Sequence, residues 1–491
     1  MTSDTHRRLA IPAQPIPKQN PKLRVSNWDE TFVGFDLETA KIEAARCIQC
    51  PDAPCISACP VHNDIPGAFK LLEIGDAVGA ANVFRETSNL PEMCGRLCPQ
   101  ERLCEGDCVV GYAIRPDTFE LQAPVAIGKL EAFATDTQRR TDGLPMPELA
   151  PATGRRVGVV GAGPAGLAVA EELAKKGHEV TLFDAWPEAG GVLLYGIPNF
   201  KMKKEILDDY LQHLWDMGIK FVGNTFIGRE VTIDQLFDQG YHAVFLGHGA
   251  SLGNQLDTPV SDLPGVMMAT DFLVRGNLRE EQLPGFMQEP LPVSDQVLVI
   301  GGGDTSMDCV RTAVRLGVKE VTCVYRRTEA EQLGREEERV HAREEGIRFE
   351  YLAAPIKMDS GPDGLVARVH FERMQLGEPD ESGRRRPVPT GEQFAVEAGI
   401  VVIAIGYGPD EGVIQQAAGI ATNRARIEVH PDTFETSRPG VFAGGDCVNG
   451  ADLVVTALAD GRRAADAIDA YLDTLPKRGT SSIVGLSKPK A

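Results

Sequence analysis

Eight of the eleven cysteines in this 491-residue chain lie between Cys47 and Cys108, in two matched groups of four. The first reads Cys47-x2-Cys50-x4-Cys55-x3-Cys59-Pro60, and the second Cys94-x3-Cys98-Pro99-x5-Cys104-x3-Cys108. Thiolates at this density, two of them followed at once by proline, match iron–sulfur ligation, where bacterial ferredoxin runs also end in Cys-Pro. A cluster of that kind handles one electron at a time, so electrons enter or leave this region singly. A pair of structural zinc sites is the competing use of eight such thiols.

Two glycine turns indicate where those electrons originate. The apolar run Arg156–Val160 leads into Gly161-Ala162-Gly163-Pro164-Ala165-Gly166, then a helix over Leu167–Lys176 and a strand Glu179–Phe183 ending on Asp184. In such a unit Gly161 makes the tight turn, Gly163 admits a pyrophosphate and Gly166 lets helix and strand pack closely. The helix N-terminus faces the phosphates, and Asp184 accepts from a ribose hydroxyl. A second unit runs Gln296–Ile300, Gly301-Gly302-Gly303-Asp304-Thr305-Ser306, a helix over Met307–Leu316 and a strand Glu320–Val324. It ends on Tyr325-Arg326-Arg327 where the first unit has its acid. Arginine there suits a 2′-phosphate, so the second unit reads as the NADPH site, with Gly301, Gly303, Asp304, Thr305, Ser306, Arg326 and Arg327 as candidates.

Two sites imply two nucleotides, one exchanged as substrate and one kept. The kept nucleotide falls to the first unit, where Gly190 and Gly191, then Tyr195-Gly196-Ile197-Pro198, leave room for a flat ring against backbone. Near the C-terminus Val441-Phe442-Ala443-Gly444-Gly445-Asp446 forms a second glycine–acid turn, before a helix over Val454–Ile468. Asp446 there suits a ribityl chain or a phosphate.

The elements that position these residues divide the chain. Residues 1–150 read as a proline-rich arm, flexible or wrapped on a partner, then a helical cysteine domain and a linker. Residues 151–290 with 407–475 form the first dinucleotide unit, 291–406 the second, and 476–491 a basic tail. The chain carries 50 basic and 70 acidic residues, net −20, with a pI near 5.0. That balance argues against nucleic acid and against an anionic membrane surface. The polar start, Met1–Arg8, and the lack of any run of eighteen apolar residues lead us to expect a cytoplasmic protein. Thiols stay reduced there, which favours metal over disulfides.

In this order, Cys47–Cys59, Cys94-Gly95-Arg96-Leu97-Cys98-Pro99-Gln100, Gly161–Gly166, Gly301–Cys309, Tyr325-Arg326-Arg327 and Ala443–Asp446 resemble the small (beta) subunit family of bacterial NADPH-dependent glutamate synthase. The resemblance spans about residues 35–473. The same module recurs in the N-terminal half of dihydropyrimidine dehydrogenase and in the large subunit of NADH-dependent ferredoxin:NADP oxidoreductase. It implies an α/β fold with two Rossmann-like, glutathione-reductase-like domains preceded by an α-helical domain holding two iron–sulfur clusters. It implies FAD, NADPH and two 4Fe–4S clusters feeding a partner. FAD would then lie against Gly161, Gly163, Pro164, Ala165, Gly166, Asp184, Gly190, Gly191, Gly196, Gly445 and Asp446. By motif position, Cys47, Cys50, Cys55 and Cys108 would hold one cluster, and Cys59, Cys98 and Cys104 most of the other. Its last ligand would be Cys94 or Glu131. One departure stands out: small subunits tend to carry Met-Pro shortly after the double arginine, where this chain has Glu331-Gln332-Leu333-Gly334-Arg335.

The reaction expected is hydride transfer from NADPH to FAD, then single-electron release, with the cofactors carrying the chemistry and no protein nucleophile or general base. A thioredoxin-reductase-like enzyme would need a Cys-x-x-Cys pair near the flavin, and Cys309, Cys323 and Cys447 are isolated. His248 reads as local packing. Thr2 follows Met1 where a glutaminase would need cysteine, so a large FMN- and glutaminase-bearing glutamate synthase subunit is the expected partner in L-glutamate formation. The alternatives are an NADPH:ferredoxin-type oxidoreductase, an electron-input subunit of a pyrimidine reductase, and a cluster-bearing scaffold with vestigial nucleotide sites.

Overall fold

The run Arg156–Val160 pairs in parallel with Glu179–Phe183 on one side and Ala243–Leu246 on the other. Lys220–Val222 and Val441–Ala443 extend the outer edges, giving five parallel strands. A second parallel sheet has the order Val266–Met268, Ile400–Ile403, Gln296–Ile300, Glu320–Tyr325, Arg348–Tyr351. Near-continuous Val, Ile and Leu in these strands is what burial on both faces demands. The computed structural model describes residues 3–256, 262–379, 383, 385–410 and 419–476. The expected tail therefore lies outside the described residues from 477 onward.

In each sheet the glycine turn follows the strand at which the order reverses, the place where open α/β sheets bind ligands. The two units are joined by the short antiparallel pair Leu252–Gly253 and Tyr407–Gly408. The strand that completes the first sheet, Val441–Ala443, comes only after the whole second unit. A three-stranded antiparallel sheet, Ala353–Ser360, Val366–Pro379 and Arg385–Glu397, is inserted in the second unit and had no counterpart in the expectations. Val266–Met268 pairs with Ile400–Ile403 in the second sheet, although residues up to 290 were expected with the first. A short apolar run carries no local mark of which sheet it joins.

The cysteine domain is built from short helices, among them Ile65–Glu73, Ala77–Thr87, Pro91–Leu97 and Ile127–Thr141. Asp64 and Asp76 cap the first two by accepting the Gly67 and Gly79 N–H. Phe69, Leu72, Phe84 and Leu130 form its core with many alanines, and Cys55, Cys104 and Cys108 join the same cluster. Small side chains let the helices approach closely, so the cysteine loops are held from several sides.

The arm corrects the expectation of a flexible segment: it packs on this chain. Thr31 N donates to Phe200 O at 2.9 Å, and Glu30 receives Arg96 Nε at 2.8 Å. Arg24 is buried against Glu345 at 2.6 Å and Glu344 at 2.8 Å. The arm thus touches all three parts of the molecule, fixed by ion pairs whose partners lie some 320 positions away. Among the described residues no helix is long and apolar enough to cross a membrane.

Candidate functional site

The cysteines sit at helix ends, where main-chain direction changes sharply. Cys55 lies in helix Pro54–Ala58, and Cys59 ends it. Cys94 lies in Pro91–Leu97, and Cys98 ends that helix. Proline at the first helical position starts each of them. Gln49 and His62 take positive φ values of 56° and 54°, uncommon without glycine. These turns aim the Gln49 N–H at Cys47 and the Asn63 and Val61 N–H groups at Cys59. Main-chain N–H groups aimed at sulfur are among the ways a protein stabilises and tunes cluster thiolates.

Two sets of thiols emerge, and they do not follow sequence order. Burial pushes the Cys47 thiol up to about 11 and Cys55 up to about 12, and the charges of Cys108 and Cys50 reinforce both shifts. Burial likewise pushes Cys59 up to about 11, with Glu131 and Cys94 close by. The Cys98 thiol is driven well up by a hydrogen bond with Cys94, then by burial, Glu131 and Cys104. Burial drives Cys104 up too, with Glu105, Glu131 and Cys59 adding to it. Cys47, Cys50, Cys55 and Cys108 thus lie near one another, as do Cys59, Cys94, Cys98, Cys104 and Glu131, with Cys55 also close enough to act on Cys104. Thiolates in such buried places require a cationic group to stabilise them, which a bound metal cluster provides.

Both candidates for the last ligand reach the second set. Glu131 is buried, accepts from Asn63 Nδ2 at 3.2 Å, and burial raises its pKa well above the carboxylate range. Cys94 is also buried, 3.9 Å from Ser88 Oγ. Among the described residues no three His, Cys, Asp or Glu side chains converge tightly enough for a single ion. Ligands of a cubane cluster stand further apart, each on its own iron corner.

The first glycine turn is shaped by contacts only glycine permits. Gly161 has φ +97°, and a Cβ there would stand 2.4 Å from Gly247 O. Gly191, with φ +52°, would put a Cβ 2.7 Å from Gly163 Cα, so these two segments meet backbone to backbone. The Gly445 turn lies against Ala165, held by its N–H to Asp460 Oδ2 at 3.0 Å. The segments Gly161–Gly166, Gly190–Gly196 and Gly445–Asp446 are therefore brought together. Helix Pro164–Lys175 begins at Gly163 with no side-chain cap, leaving its first N–H groups for an anion. Asp184 accepts from Ala162 N at 2.8 Å and Trp186 N at 2.9 Å, so part of its capacity shapes the turn. Burial pushes Asp446 up to about 6.

Three neighbouring groups were missed or underrated. His248 follows Gly247, its two ring nitrogens are buried without a hydrogen-bond partner, and burial pushes its pKa down to about 4. Asn199 Oδ1 is orphaned likewise. Lys204 is pushed down by burial to about 7, with Nζ donating to Leu193 O at 2.6 Å and to Ile197 O. It pins the ends of the turn bearing Tyr195 and Gly196. Orphaned polar atoms beside an uncapped helix fit a resident polar cofactor such as FAD. The only sequence signal for Lys204 was its closeness to Gly196-Ile197-Pro198.

The second turn repeats the geometry. Gly301, with φ +150°, would put a Cβ 2.1 Å from Ala404 O, and nothing lies within 4 Å of the place a Gly303 Cβ would take. Helix Asp304–Arg315 starts there, again without a side-chain cap. Two expected contributors differ from their assignment. Ser306 is buried and turns its hydroxyl to Ala404 O at 3.3 Å, away from the open face. Arg327 is buried with Nε on Arg385 O at 2.9 Å, whereas Arg326 is exposed. Both arginines lie in the bend that follows strand Glu320–Tyr325, which turns one to solvent and the other inward. Thr305 is half-buried in the first helical turn.

A family profile described as dihydropyrimidine dehydrogenase domain II, 4Fe-4S cluster, matches residues 24–143, and one described as pyridine nucleotide-disulphide oxidoreductase matches residues 155–461. The glutamate synthase (NADPH) small chain of Escherichia coli K12 is 39% identical over 483 residues, covering 96% of this chain and all of that one. The putative oxidoreductase AegA of the same organism is 39% identical over 481 residues, with 96% of this chain and 71% of the relative covered. Among solved structures, FprA from Mycobacterium tuberculosis in complex with NADPH aligns at TM-score 0.55 and 20% identity, over 66% of this chain and 85% of that one. That last likeness is one of fold.

Proposed function

Since the chain belongs to the glutamate synthase (NADPH) small-chain family, we propose that it passes electrons from NADPH to a separate large subunit that forms L-glutamate from glutamine and 2-oxoglutarate. The chain is an NADPH-dependent oxidoreductase of the FAD and 4Fe–4S type. The observation that carries the reading is the crossing of the cysteine groups. Cys108, from the second group, lies by Cys47, Cys50 and Cys55, while Cys59, from the first, lies by Cys94 and Cys104. We read these as two four-ligand sets, the second completed by Glu131, which acts on Cys59, Cys98 and Cys104 alike.

The bound cofactors supply the redox chemistry, two electrons accepted from NADPH and single electrons delivered onward. The protein binds, orients and shields. The uncapped helix at Gly163 would offer its N–H groups to the FAD pyrophosphate, with Asp184 and Asp446 available to its hydroxyls and the Gly191–Gly163 contact fixing the backbone there. Lys204 keeps the Leu193–Ile197 turn in place, and the neutral His248 ring offers a hydrogen bond without bringing charge. At the second turn the open space before Gly303 takes the NADPH pyrophosphate, and exposed Arg326 takes the 2′-phosphate. Arg327 keeps the strand end rigid.

A second reading has a specific observation behind it: the chain is as similar to a putative oxidoreductase as to the small chain. In that reading the acceptor is a ferredoxin or another oxidoreductase subunit. Anaerobic affinity purification of the tagged chain from its own cells, followed by mass spectrometry, separates the two. A large chain with glutaminase and FMN-binding regions is the expected companion. Recovery of a ferredoxin or a different reductase subunit in its place overturns the glutamate assignment.

A further inference from the structure

The loop that departs from the family pattern lies on the second glycine turn. Gly334 N donates to Gly302 O at 2.9 Å, and Arg335 N donates to Asp304 Oδ1 at 2.9 Å. The Arg335 side chain runs the opposite way, into the cysteine domain. Its Nη2 donates to Gln100 Oε1 at 2.9 Å and its Nη1 to Arg96 O at 3.1 Å. The guanidinium is buried, with Glu337 at 3.5 Å and Glu101 at 3.8 Å balancing its charge.

Gln100 organises the loop between Cys94 and Cys104. Its Nε2 donates to Cys94 O at 3.3 Å and Gly95 O at 3.2 Å. Its carbonyl accepts from Leu103, Glu105 and Gly106, on both sides of Cys104. The fit is close: a Cβ on Gly128 would fall 2.2 Å from Gln100 Nε2. A single side chain therefore spans from the nucleotide turn to the glutamine that shapes the cysteine loop.

We infer that Arg335 is a positioning residue that couples occupation of the second glycine turn to the cysteine loop Cys94–Cys104. The inference rests on the proposed NADPH and cluster sites. A pyrophosphate entering at Gly302–Asp304 brings negative charge beside the Asp304 carboxylate, which holds the Arg335 N–H. The loop then holds different positions with the turn filled and empty. Arg335 carries that difference to Gln100, whose hydrogen bonds fix the backbone around Cys98 and Cys104. Cluster potentials respond to such second-shell hydrogen bonds and to nearby charge. By linkage, the nucleotide and the electron must then alter each other's binding equally.

The test is an anaerobic redox titration of the holoenzyme followed by electron paramagnetic resonance, with and without 2′-phospho-ADP-ribose. That probe carries the pyrophosphate and the 2′-phosphate but no redox-active ring. In the unaltered protein the probe should move the midpoint of one of the two cluster signals and leave the other in place. A threefold difference in probe affinity between the two cluster states corresponds to about 28 mV. In Arg335→Ala the movement should vanish while iron and flavin contents hold. Arg335→Lys, which keeps the charge without the guanidinium fork, should keep part of it and serves if the alanine variant loses its clusters. No probe-dependent movement in the unaltered protein overturns the coupling, as does full movement in either variant. Absence of clusters or of probe binding in the unaltered protein would instead overturn the proposed sites.

Discussion

Glu345 is the hub of the charge cluster that closes the arm on the second dinucleotide unit. Its carboxylate takes Arg24 Nε at 2.6 Å, Arg311 Nη2 at 2.9 Å and Arg315 Nη1 at 2.8 Å, with its own side chain and those of Arg311 and Arg315 fully buried. Burial alone would push its pKa up, but Arg311 and Arg315 outweigh burial and hold it at about 2. Against an ordinary 4.5, that contributes about 3 kcal/mol to the folded state at neutral pH. The carboxyl's folded pKa is depressed, so the contribution is whole above about pH 4.5 and disappears as pH falls toward 2. Glu345→Gln keeps the shape and removes the charge, leaving three arginines to Glu338 and Glu344, and should cost about 3 kcal/mol, within the range for broken buried pairs. Arg24→Met removes one spoke and leaves Glu345 with two arginines, so it should cost about 1.5–3 kcal/mol, the worth of one charged hydrogen bond. Anaerobic urea denaturation of the holoenzyme measures both, and amide exchange over residues 17–33 should report a loosened arm in each. Should Glu345→Gln unfold at the wild-type urea concentration, or Arg24→Met prove the more damaging, the hub reasoning fails.

Two further outcomes concern the sites. In Arg326→Ala, loss of a charge-assisted contact worth about 1.5–3 kcal/mol should lower kcat/KM for NADPH about 10- to 150-fold and leave NADH unchanged, while Arg327→Ala should lower stability at a near-constant cofactor ratio. An unaltered NADPH preference in Arg326→Ala removes it from the site. Glu131→Ala should halve the iron content and abolish one of two cluster resonances, and Cys94→Ser should retain both. The reverse pattern makes Cys94 the ligand.

What the sequence made legible is local. Strands Arg156–Val160, Glu179–Phe183 and Gln296–Ile300 were read to the residue, because apolar runs flanked by glycine leave little choice. The helices after both turns begin three residues earlier than expected, at Pro164 and Asp304, since Gly163 and Gly303 are themselves the caps. The fold class and the family followed from motifs of this kind. Other features depended on partners far along the chain. Nothing near Arg24 announces Glu345, and nothing near Arg335 announces Gln100. The division of labour between Arg326 and Arg327 required the inserted sheet, whose Arg385 carbonyl claims one of them. Long-range charge pairs leave no periodicity, so composition alone reads the arm as flexible or wrapped on a partner and gives no sign of its seat on this chain.

Because Val441–Ala443 is the edge strand of the first sheet, that sheet is still short of a member when the ribosome has finished every residue of the second unit. The interposed nucleotide unit can mature on its own contacts, whereas the Gly445 turn reaches Ala165 only after that whole unit has been made. A chain that stops before Val441 therefore lacks both the edge strand of the first sheet and the turn that packs on Ala165, so the segments around Gly161 and Gly191 stand without their third wall.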